Sequence, residues 1–259
     1  METTSELQGE LNGPVLTVTF NRPRQHNAMT FAMYDGLHDA CERADADDEI
    51  RVMVLRGAGE KAFVAGTDIA QFADFREGAD GIAYEKRIAR VMDRLEDVTV
   101  PTVAAVQGFC LGGGLAIAAV CDLRVATPSA RFGVPIAKTL GNCLSMNTHS
   151  LLVQHLGAAR TLDVLLRARM LTGDEALGAG FVAELCAEDA LPETVDGVVT
   201  TLLGQAPLTM WAAKEAVSRL RRAALPDGDD IVARVFGSED FRRAVQAFGA
   251  KERMVWSGR

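Results

Sequence analysis

Two hydrophobic periods take turns along this chain. Short apolar runs rich in β-branched residues, at Val15 to Phe20, Val52 to Leu55, Thr102 to Val106 and Leu123 to Ala126, have the length and composition of strands. Between them lie stretches of helical period. Phe31 to Ala46 follows Thr30, whose hydroxyl suits it to cap a helix by accepting a bond from a first-turn amide. From about Ile82 to Leu95, residues Ile82, Ile88, Val91, Met92 and Leu95 share one helical face. That leaves room for only one or two of Tyr84, Glu85 and Arg87 to face inward, and predicts the charged ones to be solvated, with Glu85 a weak candidate to carry protons. From about Leu151 the helical period dominates, at Leu162 to Arg169, Ala190 to Gly204 and Leu208 to Arg222, with breaks at Gly204 to Pro207 and Pro226 to Asp230. The alternation predicts an α/β fold followed by a helical C-terminal region.

Composition narrows the class. At 259 residues, 48% hydrophobic and 24% charged, the chain can bury one sizeable core. No apolar run reaches the ~20 residues that span a bilayer. Met1 to Glu10 is acidic and polar rather than signal-like. A cytoplasmic protein with no membrane partner is expected. The formal charge of -8 argues against nucleic acid, since phosphate backbones recruit basic surfaces. Five cysteines, at 41, 110, 121, 143 and 186, form no C-x-x-C pair and no metal-ligand spacing, so neither metal nor redox cofactor is expected. Cys110 and Cys121 lie in apolar surroundings and read as core residues.

The stretch that points to chemistry is Gly108-Phe-Cys-Leu-Gly-Gly-Gly114, between the apolar run ending at Val106 and a small-residue helix from Leu115 to Val120. Glycines let backbone approach a ligand closely, and the first amides of a helix are unpaired donors reinforced by its dipole. Such a turn suits an oxyanion. A phosphate is the other possible occupant, but no Lys-Ser/Thr follows the glycines and no Gly-x-Gly-x-x-Gly can be written through them. A second loop of similar character, Phe63-Val-Ala-Gly-Thr-Asp-Ile69, lies upstream. Two loops that each direct one N–H at the same point make an oxyanion hole, which stabilises charge developing on a carbonyl oxygen.

Together with Asn21-Arg22-Pro23, Asn27-Ala28-Met29, the segment Ser238 to Arg242 and the terminal Ala247 to Arg253, these loops make nearly the whole chain resemble the crotonase superfamily, the enoyl-CoA hydratase/isomerase family. The resemblance implies repeated ββα turns wound into a spiral core over residues 1–200. A helical trimerisation region over 201–259 would then give a homotrimer or hexamer. It implies an acyl-CoA thioester as substrate, with coenzyme A entering as part of it and no separate cofactor, and a place in fatty acid metabolism. Position by position, the backbone N–H groups of Ala65 and Gly113 match the oxyanion donors. Thr67 would turn its hydroxyl toward the thioester, and Asp68 is the acid nearest to Ala65 in sequence, although an Asp there also suits helix capping. Arg22, Arg24, Ala28, Lys61, Phe63, Ile69, Gly112, Phe248 and Lys251 match positions that approach the coenzyme A moiety.

Where hydratases of the family carry two water-holding glutamates, this chain has Ala116 and Ile136. A methyl group and a branched alkyl chain neither accept a proton nor orient water, so ordinary hydration is not expected, nor isomerisation through the second glutamate. Replacement chemistry has to be sought elsewhere, as in the polar run Lys138 to His149, where Asn142, Cys143, Ser145 and His149 are candidates for it. Local capping and hydrogen bonding account for those residues more simply. Two functions follow: an enolate-stabilising lyase or isomerase whose reaction is open, or a non-catalytic acyl-CoA binder that kept the oxyanion hole.

Overall fold

The computed structural model describes residues 6–223, 225–250, 252 and 254–259. β1 (Leu7–Asn12) and β2 (Val15–Phe20) form an antiparallel hairpin that turns at Gly13, where φ is +54°. The chain then winds. α1 (Phe31–Ala46) leads to β3 (Val52–Gly57) and β4 (Ala62–Val64); α2 (Gly78–Glu96) leads to β5 (Thr102–Val106) and β6 (Phe109–Leu111); α3 (Gly113–Val120) leads to β7 (Leu123–Ala126) and β8 (Arg131–Gly133). Each turn adds one strand to each of two sheets. With β9 (Met170–Thr172) and β10 (Glu184–Leu185), the sheet orders among the described residues are β1-β2-β3-β5-β7-β10 and β4-β6-β8-β9. This is the ββα spiral that the resemblance implied.

The period of two explains why the longer strands were legible. Met53 and Leu55 of β3 enter the main core, whereas Val52 and Val54 face the other way into a second cluster with Val103, Ala105 and Val125. Leu191, Val195 and Val199, at intervals of four on α7 (Leu191–Leu203), cover that second face. The expected change of region between residues 200 and 201 falls inside α7. α1 has the predicted span, and the Thr30 hydroxyl accepts from the Met33 amide at 3.3 Å as its cap.

The C-terminal half differs from expectation at one helix. Leu162 to Leu166 is the end of α5 (Met146–Leu166), which is broken at Gly157 (φ +74°), and Arg169 lies beyond it after a left-handed Ala168. α4 (Ile136–Thr139) and α6 (Gly173–Gly178) are short connectors. α8 (Pro207–Arg222) is tied to the spiral by Lys214 to Asp122 and by Arg221 and Arg222 to Glu96, and it exposes Leu208, Trp211 and Leu220. α9 (Asp229–Phe236) folds back over α2, and α10 (Glu239–Ala250) packs against α9 and the turn Ile69–Phe72. Phe236 and Phe241 join Phe72, Phe75 and Tyr84 in an aromatic cluster. Gly81 permits this approach, because a Cβ there would strike the Phe236 ring. Among the described residues, no helix is long and apolar enough to cross a membrane.

Candidate active site

β4 and β6 run parallel and end side by side, so the loops after them, at 65–68 and 111–113, meet. Gly112 has φ +52° and ψ −116°, and a Cβ built on it would lie 3.6 Å from Gly66 Cα. Only glycine takes that backbone without strain. Behind it, Gly114 is pressed against Val64, and a Cβ on Gly113 would collide with the Tyr34 hydroxyl. Gly113 opens α3, so its N–H has no carbonyl four residues back to bond.

The upstream loop is held by the segment 26–29. Asn27, fully buried, accepts from the Arg22 amide at 3.0 Å and donates to the carbonyls of Ala58 (3.0 Å) and Ala62 (2.7 Å). That pins His26 and Asn27 in left-handed backbone, with φ of 50° and 56°. The next residues then pair with the loop: Ala65 N–H donates to His26 O (3.0 Å), Met29 N–H to Gly66 O (2.8 Å) and Asp68 N–H to Met29 O (2.9 Å). The Ala65 amide, expected to be the oxyanion donor, is therefore spoken for. In a parallel bridge of this kind the intervening residue turns its N–H to the opposite side. Thr67 is that residue, and its amide has no partner among the described residues. The free amide lies two residues further along than the sequence suggested, because strand alternation rather than motif position decides which N–H is free.

In front of these loops lies a cavity of about 260 Å³. Ala116 and Ile136 line it with carbon only, as their side chains require, alongside Ile69, Phe72, Leu140 and Phe248. Its polar wall comes from three elements. The hydroxyls of Tyr34 and Thr67 are 2.9 Å apart and those of Thr67 and Tyr84 2.8 Å apart, forming a chain beside Gly113. Burial pushes the Tyr34 phenol up to about 12 and raises Tyr84 well above its usual value, so both stay protonated at neutral pH. Glu85 also faces the cavity, against the expectation that it would be solvated, whereas Arg87 turns outward to Asp35 (2.5 Å). Desolvation lifts the Glu85 carboxyl to about 7, with the Ser145 amide and hydroxyl pulling the other way.

The run 138–149 forms the remaining wall, and its polar residues divide as capping predicts. Ser145 caps α5 by accepting from the Thr148 amide (3.3 Å), and His149 Nδ1 sits 3.0 Å from the Ser145 carbonyl. Cys143 lines the cavity as a thiol, its pKa pushed up to about 12 by burial and then by Glu85. Asn142 also lines it, with a buried Oδ1 that has no partner among the described residues.

The other expected site residues separate. Asp68, the acid nearest to Ala65 in sequence, does not line the cavity; its carboxylate accepts from the Ala70 amide (3.1 Å), the capping role its position also suited, and pairs with Arg22 (2.9 Å), so it is not placed as a catalytic group. Arg22 is further engaged by Glu6 (3.1 Å) and the Ala28 carbonyl (2.6 Å), so its charge is neutralised within the loop. Phe63 is buried edge-on against Phe20 in the core and does not reach this cavity. Ile69, Gly112 and Phe248 do line it. Arg24 and Lys61 are exposed, with no ion pair among the described residues, and Lys251 lies outside those residues. No cluster of acids, histidines and cysteines among the described residues could hold a metal ion.

A spiral of paired strands with two glycine loops meeting at an apolar cavity defines a recognisable class. Residues 10–259 match the family model for enoyl-CoA hydratase/isomerase. A protein of Rhizobium meliloti named "Probable enoyl-CoA hydratase" is 34% identical over 258 residues, covering 96% of this chain and 97% of that one. The short-chain-enoyl-CoA hydratase of Clostridium acetobutylicum is 31% identical over 249 residues, 95% of each. Among solved structures, an enoyl-CoA hydratase/carnithine racemase from Magnetospirillum magneticum superposes with a TM-score of 0.81 at 32% identity, over 99% of this chain and 97% of that one. The chain belongs to the enoyl-CoA hydratase/isomerase family of the crotonase superfamily.

Proposed function

We propose that this enzyme binds an acyl-CoA thioester and stabilises its enolate with two backbone donors, the N–H groups of Thr67 and Gly113. The observation that carries the reading is that these two amides are unpartnered, belong to loops in mutual contact, and border one apolar cavity. A thioester oxygen held there gains most from the two bonds as negative charge develops on it. That acidifies the neighbouring carbon, and loss of one such donor costs about 3–4 kcal/mol in the barrier. Hydration of the family's usual kind is not the reaction, because Ala116 and Ile136 give the cavity no carboxylate pair to hold water. Arg24 and Lys61, exposed near the loops and without an ion pair among the described residues, are available to the anionic end of coenzyme A. Copies associate through the exposed apolar face of α8 in this reading.

Incubating the protein with saturated, 2-enoyl, 3-enoyl, β-hydroxy and malonyl-type CoA thioesters, with binding and product masses read together, tests the proposal. Turnover of one class is the expected result. Binding without turnover favours a second reading, an acyl-CoA binder, for which the carbon-lined positions 116 and 136 speak. Absence of binding overturns both.

A further inference from the structure

Of the described residues that line the cavity, Glu85 alone is formally charged. It enters on one strip of α2, with Tyr84 beside it and Ile88 a turn later, because residues at i, i+3 and i+4 share a helix face. The same strip explains why a hydrophobic-periodicity reading overlooks it: the core-facing stripe from Ile88 to Leu95 is apolar, and the strip rotates into the cavity only at its N-terminal end. The titratable groups around Glu85 are Tyr84 beside it on α2 and, from the elements packed against it, Tyr34 of α1 and Cys143 of the loop before α5. All three hold their protons at neutral pH, so none competes for the role of base.

We infer that Glu85 is the catalytic acid–base of this site, taking a proton from the carbon adjacent to a bound thioester and returning it. The inference rests on the proposed function, since it needs the thioester oxygen at the Thr67 and Gly113 amides. The step balances without a co-reactant. The C–H bond breaks, its proton goes to the Glu85 carboxylate, and its electron pair forms the enolate whose oxygen the amides hold. Reversal delivers the proton back to the carbon skeleton. With no second carboxyl among the described residues that line the cavity, one group taking and returning the proton is the simplest cycle for this site.

The test is exchange of α-hydrogen for deuterium in D₂O, read by mass spectrometry, with saturated thioesters from propanoyl- to hexanoyl-CoA as probes. The natural protein is expected to incorporate deuterium, faster as pH rises through the range where Glu85 ionises, near 7. Glu85→Gln is expected to lose at least about 100-fold in exchange rate while still binding the same thioester, the scale of a general base. Glu85→Asp, which withdraws the carboxyl by about 1 Å, is expected to lose about 100-fold and serves if the glutamine variant does not fold. Exchange at the natural rate in either folded variant overturns the assignment of Glu85 and leaves the oxyanion reading standing. A natural protein that binds the thioesters without exchanging overturns the enzymatic reading itself, and this inference with it.

Discussion

The hydroxyl of Tyr34 lies 2.9 Å from the Thr67 hydroxyl and directly over the backbone of Gly113, so one buried ring spaces the two loops that supply the site's free amides. Tyr34 is fully buried on α1, a helix that brings no charge to the cavity. Its position sets how closely the 65–68 loop and the start of α3 can approach.

Gly113→Ala places a Cβ against that hydroxyl and is expected to destabilise the fold by about 1–3 kcal/mol, as overpacking does. Adding Tyr34→Phe is expected to recover part of the loss, giving a coupling between the two positions in urea unfolding. Strictly additive effects would show that the two groups do not touch.

Asp68→Asn is expected to leave turnover within about tenfold, a difference of no more than about 1.4 kcal/mol in the barrier. It should lower stability by about 1 kcal/mol by weakening a cap and an ion pair. Kinetics and thermal unfolding of the same variant check both halves. A loss of hundreds-fold in rate with stability intact would return Asp68 to the catalytic machinery.

Ala116→Glu combined with Ile136→Glu puts two carboxyls into the cavity wall. The doubly substituted protein is expected to gain hydration of a 2-enoyl-CoA, read as the β-hydroxy product. A folded, thioester-binding but inert double variant would show that these positions do not flank the reacting carbons.

Two buried groups give the stability curve opposite slopes. The Glu85 carboxyl is raised to about 7 in the folded state, so its contribution is fully present below about 4.5 and is lost as pH rises through 7. His155 is lowered to about 4, chiefly by burial with the Arg124 charge adding to it, so its contribution is present above about 6.5 and is lost as pH falls through 4. Unfolding measured between pH 4 and 8 is expected to show Glu85→Gln gaining on the natural protein toward the alkaline side. Parallel curves would refute the raised carboxyl.

Much of the spiral was legible because its long strands bury alternate residues on two faces and its helices carry caps, as Thr30 and the Val52 to Leu55 run show. The short strands of the second sheet, such as Ala62–Val64 and Phe109–Leu111, span too few residues to display a period. The glycine loops announced the site, but not which amide is free, since that depends on the pairing of residues 26–29 with 65–68. The Gly66–Thr67 pair beside Asn27-Ala28-Met29 carried that signal only in combination. Glu85 was hidden for a different reason: a charged residue beside an apolar stripe reads as solvated until the aromatic cluster behind Tyr84 shows which way α2 is rolled.

The central claim is that the Thr67 and Gly113 amides polarise a thioester carbonyl. Isotope-edited infrared difference spectroscopy of a carbonyl-¹³C acyl-CoA bound to the protein tests it most directly. The account predicts that the carbonyl stretch moves to lower frequency on binding and moves back when Gly113→Pro removes one N–H at the first helical position, made together with Tyr34→Phe so that the new Cβ no longer meets the phenol hydroxyl. A bound thioester whose carbonyl frequency equals that in water, in both proteins, would contradict it.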